Sequence, residues 1–235
     1  AGDPINVFNE LTWNFNSATY GQQYSPTKDL VHMFLTLDGK PVETDQVSLT
    51  KEFDNRDWRL SQTVHGPGHT YQNSAGTTML KNIDFSTTKT GYAFIKWSVE
   101  IQENYSKGKA DNSLPILRLG EVLLNYAEAK AELGEMDKSI WNETVGALRE
   151  RAGVTNIYPE DANYVEDEWL KDYYADSPIK LSNTLLEIRR ERVTELIMEN
   201  GLRVSDLYRW KLGNLIRDRS TGNQGWKGIY LSTDE

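Results

Sequence analysis

The stretch WNFNSATYGQQY sets Trp13, Phe15, Tyr20 and Tyr24 among Asn14, Asn16, Gln22 and Gln23. Sugar rings present apolar C–H faces that stack on aromatic rings, and their hydroxyls bond to amide side chains. Alternating rings and amides therefore suit saccharide recognition, and Trp13, Asn14, Phe15, Tyr20 and Tyr24 are the candidate ligand-binding residues. The segment has little apolar periodicity, so it reads as a loop with at least Trp13 or Tyr20 exposed, against the competing reading that these rings are core. Trp97 and Tyr126 lie on periodic apolar faces and read as core.

Other constellations point to scaffold more than to chemistry. Glu191, Glu195 and Glu199 recur every four residues, with Arg192, Arg203, Asp206 and Arg209 close in sequence, which suits a buried or half-buried ion network. The sharper reading is a carboxylate pair for glycoside hydrolysis, which needs two acids about 5 to 10 Å apart across a cleft. With 35 acidic residues, such a pair arises by chance. HGPGH at His65 to His69 cannot be a helical zinc face, because Pro67 and its flanking glycines break a helix, and it reads as a surface turn. Asp54, Asn55 and Asp57 miss the spacing of a calcium loop and read as a solvated turn. Phosphate-cradling and nucleophile-elbow signatures are absent. The expectation is a protein with no catalytic residues, no cofactor and no metal.

Composition narrows the class. A chain of 235 residues with 38% hydrophobic and 26% charged residues has the balance of a globular protein. Net charge is -9 with no basic cluster, so nucleic acid is not an expected partner. Cysteine is absent, which removes disulfide and thiolate chemistry. No apolar run nears the ~20 residues that cross a bilayer, and the first residues lack a signal core, so any targeting segment is expected to lie upstream or to have been removed.

The elements that must hold these residues change in character near Asn112. Residues 1–111 read as a loop-rich lobe with short strands, the candidate ligand-binding part. SPTKDLVHMFLTL is a short helix with Ser25 as cap and Pro26 at its first position, and GYAFIKWSVEI alternates as a strand. Residues 112–235 read as a helical scaffold with a polar tail. Helices are expected over Glu121–Leu133, Asp137–Arg151 and Thr184–Glu199, with NYVEDEWLKDYYADSP as a long surface loop between the last two. Gly134 stops the first helix and Asp137 caps the second, forcing an antiparallel hairpin. Ala127, Ser139 and Gly146 stand where a tetratricopeptide repeat uses small residues to bring two helices close, and such a hairpin expects stacked neighbours. The fold class is mainly α: tetratricopeptide-like helical hairpins with a loop-rich lobe carrying short strands.

Read together and in order, SPTKDLVHMFLTLDGKPV, DNRDWRL, GYAFIKW, LPILRLGEVLLNYAEAKAELGE, LRERAGV and IRRERVTELIMENGLRVSDLYRW resemble the SusD/RagB family. The resemblance covers nearly the whole chain and corresponds to roughly the C-terminal half of a typical member, so residues 1–235 form part of one such domain. Gly146 and Val204-Ser205 depart from the family pattern. The resemblance implies a non-enzymatic glycan- or nutrient-binding protein, exposed at the outer-membrane surface through a lipid anchor outside this chain. It also implies delivery of oligosaccharide to a SusC-like TonB-dependent transporter. A helical-repeat adaptor for other proteins, or a glycoside hydrolase, are the alternative readings.

Overall fold

A computed structural model describes residues 11–16, 23–42, 48–106, 108–110, 112–217 and 226–230. The first part carries four short helices, α1 (Leu11–Asn16), α2 (Lys28–Met33), α3 (Leu49–Phe53) and α4 (Trp58–Thr63), then a hairpin of β1 (Thr70–Gln72) and β2 (Thr78–Leu80). The hairpin is antiparallel, with Tyr71 opposite Met79. The second part is helical: α5 (Leu119–Glu132), α6 (Lys138–Trp141), a π-helical turn at Asn142–Gly146, α7 (Ala147–Arg151), α8 (Glu168–Tyr173), α9 (Asn183–Leu196), α10 (Leu202–Arg209) and α11 (Asn214–Arg217).

The helical hairpin forms as its sequence dictates. Gly134 closes α5 at φ +70°, a conformation that costs glycine nothing, and the Asp137 carboxylate accepts from the Ile140 amide at 2.8 Å to start α6. Ala127 is fully buried beside Leu124, Trp141, Val145 and Ile188. Gly146 is also buried, and a Cβ there would meet the Asn156 side chain at 2.6 Å. Ser139, Ala129 and the expected core residue Tyr126 are instead exposed. The outer face of α5 presents Leu119, Val122, Tyr126 and Leu133 to solvent, whereas α9 packs along its inner face.

Ala127→Leu should overpack this seam and cost about 1 to 3 kcal/mol. Glu135→Gln, on the exposed turn where Glu135 accepts from Lys130, should stay within about 0.5 kcal/mol in the same urea melts. Equal small effects would refute a tight seam.

Three local expectations are overturned. Residues 91–101 are not a strand: Phe94 makes one isolated bridge with Val64, and the Ser98 amide donates to the Ile95 carbonyl at 2.9 Å, closing a turn through Lys96 and Trp97. The acidic stretch near residue 170 is not all loop, because Asp167 caps α8 and Leu170 and Tyr174 enter the core. Thr27, not Ser25, caps α2, its hydroxyl accepting from the Leu30 amide at 3.3 Å.

Helix α9 is the axis of the molecule. Every residue from Thr184 to Leu196 is buried, although the sequence TLLEIRRERVTEL is rich in charge. Leu186 and Val193 join the core shared with α2 and α4, while Ile188 and Leu196 join the hairpin core. Its carboxylates and guanidiniums therefore need partners inside the protein, since a buried unpaired charge is prohibitive.

Candidate functional site

The ladder Glu191, Glu195, Glu199 finds those partners across the whole chain. Arg59 donates through Nη1 to Glu191 and to Glu195 Oε2 at 2.8 Å, and through Nη2 to Asp57 at 2.6 Å. Arg149 donates to Glu191 at 3.1 Å and to Glu187 at 2.6 Å. Arg118 grips Glu195 and Glu199, the latter at 2.6 Å through Nε, and Lys96 reaches Glu199 at 2.7 Å. Gly120 leaves room for this grip, since a Cβ there would meet Arg118 Nη1 at 2.7 Å. Asp57, read from sequence as part of a solvated turn, is buried because it both caps α4 and pairs with Arg59. Of the cations expected from the neighbouring sequence, Arg192 pairs with Asp206 and Arg209 with Glu128 and Asp206, while Arg203 bonds to Tyr173 and Tyr174.

This network borders an open cleft of about 600 Å³. Its walls are α4 with Arg59 and Gln62, the turn carrying Lys96 and Trp97, Arg118, Arg151 at the end of α7, Glu195 in the last turn of α9, and Glu199 in the turn after it, where the helix expected to reach Glu199 has already ended at Leu196. Burial would raise the Glu195 carboxyl, but Arg59, Arg118 and Arg151 bring it down to about 2. Burial likewise opposes the Arg59 charge, yet Glu191 and Asp57 hold it well above its usual value. Desolvation lowers the Lys96 ammonium, with Glu199 opposing. Trp97, expected in the core, is only partly buried and lines this cleft.

The aromatic segment behaves differently from its reading as an exposed loop. Residues Leu11–Asn16 are a helix, docked by the Val99 amide donating to Thr12 Oγ1 at 2.8 Å. Residues two apart on a helix point to different sides, so Trp13 and Phe15 do not form one stacking platform. Phe15 is a core residue, 6.2 Å from the Phe94 ring, and Trp13 is half-buried. Tyr24 is exposed and meets the Phe15 ring edge-on at 6.4 Å. Tyr20 and the Asn14 side chain lie outside the described residues.

Beside them is a smaller cavity of about 220 Å³, walled by Phe15, Asn16, Asn82, Asp84, Phe94 and Tyr105 among others. Tyr105 donates to Glu100 at 2.7 Å. Burial would raise the Glu100 carboxyl, but His69, Lys81 and Tyr105 together hold it well below the carboxylate range. His65, read from sequence as part of a surface turn, is buried, with Nε2 2.8 Å from the Lys81 carbonyl, and desolvation lowers its pKa to about 4. Asn82 and Tyr105 were not singled out in the sequence, because their contribution depends on chain segments brought to Phe15 by the fold.

A family model described as the SusD family matches residues 4–233. Among solved structures, a SusD-like protein from Bacteroides fragilis is 23% identical with a TM-score of 0.58, the match covering 80% of this chain and 36% of that one. A SusD-like carbohydrate binding protein from the same species is also 23% identical, with a TM-score of 0.55, covering 82% of this chain and 39% of that one. The chain thus spans well under half the length of either structure. No curated protein matches it. The helical hairpin packed on a central charged helix, the loop-rich part beside it and the match along nearly every residue agree: the chain belongs to the SusD family.

Proposed function

We propose that this chain is the glycan-binding part of a cell-surface nutrient-capture protein, with residues 1–111 holding the ligand and residues 112–235 acting as scaffold. The observation that carries the reading is the cavity beside Phe15, where Phe94 and Tyr105 stand next to the side chains of Asn16, Asn82 and Asp84, an apolar wall with polar groups at its rim. Membership of a family with a solved carbohydrate-binding relative supports it. On this reading the captured oligosaccharide is passed to a SusC-like TonB-dependent transporter, and the protein is held at the outer-membrane surface by a lipid anchor outside this chain.

The same reading makes the protein a binder and not an enzyme. A glycosidase acid needs a carboxyl kept protonated near neutral pH. Glu195, a carboxyl on the wall of the large cleft, is brought to about 2 by its guanidinium partners and stays ionised.

Glycan-array screening followed by calorimetry tests the proposal. Asn82→Ala, on the cavity wall, and Tyr24→Ala, at the exposed ring that meets Phe15 edge-on, should each weaken the preferred glycan roughly two- to tenfold with an unchanged melting temperature. Unchanged affinity in both variants would move the site elsewhere, and reducing-sugar release abolished by one Asp or Glu substitution would sink the non-enzymatic reading.

A further inference from the structure

The large cleft has a feature that a neutral sugar does not require. In its ion network the carboxylates lie beneath and the cations on top: the side chains of Arg151, Arg118 and Lys96 are 56%, 22% and 14% exposed, against 2% for Glu195 and 3% for Glu199. A ligand entering the cleft therefore meets positive charge, on a chain whose net charge is -9. Bonding capacity remains as well. Arg151 engages Glu195 through Nη2 alone, so Nη1 and Nε have no partner among the described residues, and neither has the exposed Gln62 amide.

The remaining wall is aromatic and strained. Trp97 holds φ at +68°, a region bulky residues avoid and keep only when their surroundings impose it. The turn at Ile95–Ser98 calls for glycine by conformation and has tryptophan instead. The consequence is an indole in the cleft, with Lys96 Nζ 5.4 Å from its ring centre. A ring for the C–H face of a sugar beside guanidinium and ammonium groups is the complement of a sugar that carries an anion.

We propose that this cleft binds an acidic saccharide residue, one bearing a carboxylate or a sulfate ester, with Arg151 and Gln62 bonding the anionic substituent and Trp97 carrying the ring. The proposal rests on the glycan-binding reading above but concerns a second site, separate from the cavity at Phe15. A volume of about 600 Å³ has room for more than one sugar ring.

Calorimetry on the full chain at pH 7.5 in 50 mM salt tests it, with trigalacturonate, its methyl ester and galactose 6-sulfate as probes. One of the two acids should bind at least tenfold more tightly than the ester, and which one separates carboxylate from sulfate. Its affinity should fall several-fold at 300 mM salt. Arg151→Gln should remove most of the preference for acid, since Glu195 keeps Arg59 and Arg118 and the fold survives. Gln62→Ala, at an exposed position, should weaken the acid a few-fold with no change in melting temperature. Equal binding of acid and ester, or an acid preference untouched in both variants, would overturn the proposal. Neutral glycans bound at the Phe15 cavity with no gain for acids would remove this site alone, and no binding of any saccharide would remove the glycan reading with it.

Discussion

Glu191→Gln should destabilise the protein by about 3 to 5 kcal/mol, the cost of breaking a buried ion pair by removing one partner. The substitution keeps the shape and deletes the charge. Arg149 is 1% exposed and Arg59 9%, so neither can turn to water when Glu191 stops neutralising them. Glu187, Asp57 and Glu195 remain as partners, but they already serve Arg190, the cap of α4, and Arg118 with Arg151. Against a typical total of about 5 to 15 kcal/mol, such a loss would bring unfolding near physiological temperature. Arg151→Gln touches the same network from its solvent edge, where screening limits its worth to about 1 kcal/mol or less. Urea melts of the two variants separate these cases, and similar small losses would show that burial of α9 does not depend on its charges being matched.

Trp141→Ala should cost about 3 to 5 kcal/mol, the range for emptying a large aromatic side chain from a core. Trp141 is fully buried and packs with Leu124, Ala127, Val145, Leu148, Tyr158 and Ile188, which come from α5, the π-helical turn, α7, the loop after α7 and α9. Its Nε1 donates to Asn156 Oδ1 at 2.8 Å, and the Arg149 guanidinium lies 5.3 Å from its ring. Trp141→Phe keeps most of the volume and loses mainly the hydrogen bond, about 1 kcal/mol. A chemical-denaturation series of Trp, Phe and Ala at this position should therefore be steeply graded. A flat series would mean that the hairpin does not depend on this contact to hold α5 against α9.

The hairpin was readable because its signals are local. Apolar residues three and four apart, a glycine stop at Gly134 and an aspartate cap at Asp137 act over one or two helical turns, and the structure keeps all of them. The close approach at Ala127 follows from the same register, with Ala131 packed at its edge and Ala129 exposed. Helix α8 is hard to read because Leu170 and Tyr174 are fully buried while the adjacent Trp169 and Tyr173 are only partly covered, so consecutive residues pack on the core and set no helical period. The alternation in GYAFIKWSVEI misled for a related reason: an extended segment broken by a turn alternates as well as a strand does, and only backbone pairing tells them apart. The aromatic segment misled in the opposite direction, since Phe15 becomes core only through Phe94, which is remote in sequence.

That α9 carries Glu187, Glu191 and Glu195 as a ladder of carboxylates follows from their spacing alone, because residues four apart share a helix face whatever surrounds them. The spacing could not say which cations would neutralise the ladder. Arg59 reaches Glu191 across 132 residues and Arg118 reaches Glu195 across 77, so the partners are chosen by how the loop-rich part folds over the helices. Desolvation makes that choice decisive: a carboxylate can leave water only where a fixed guanidinium or ammonium already waits, and that place exists only in the assembled tertiary structure.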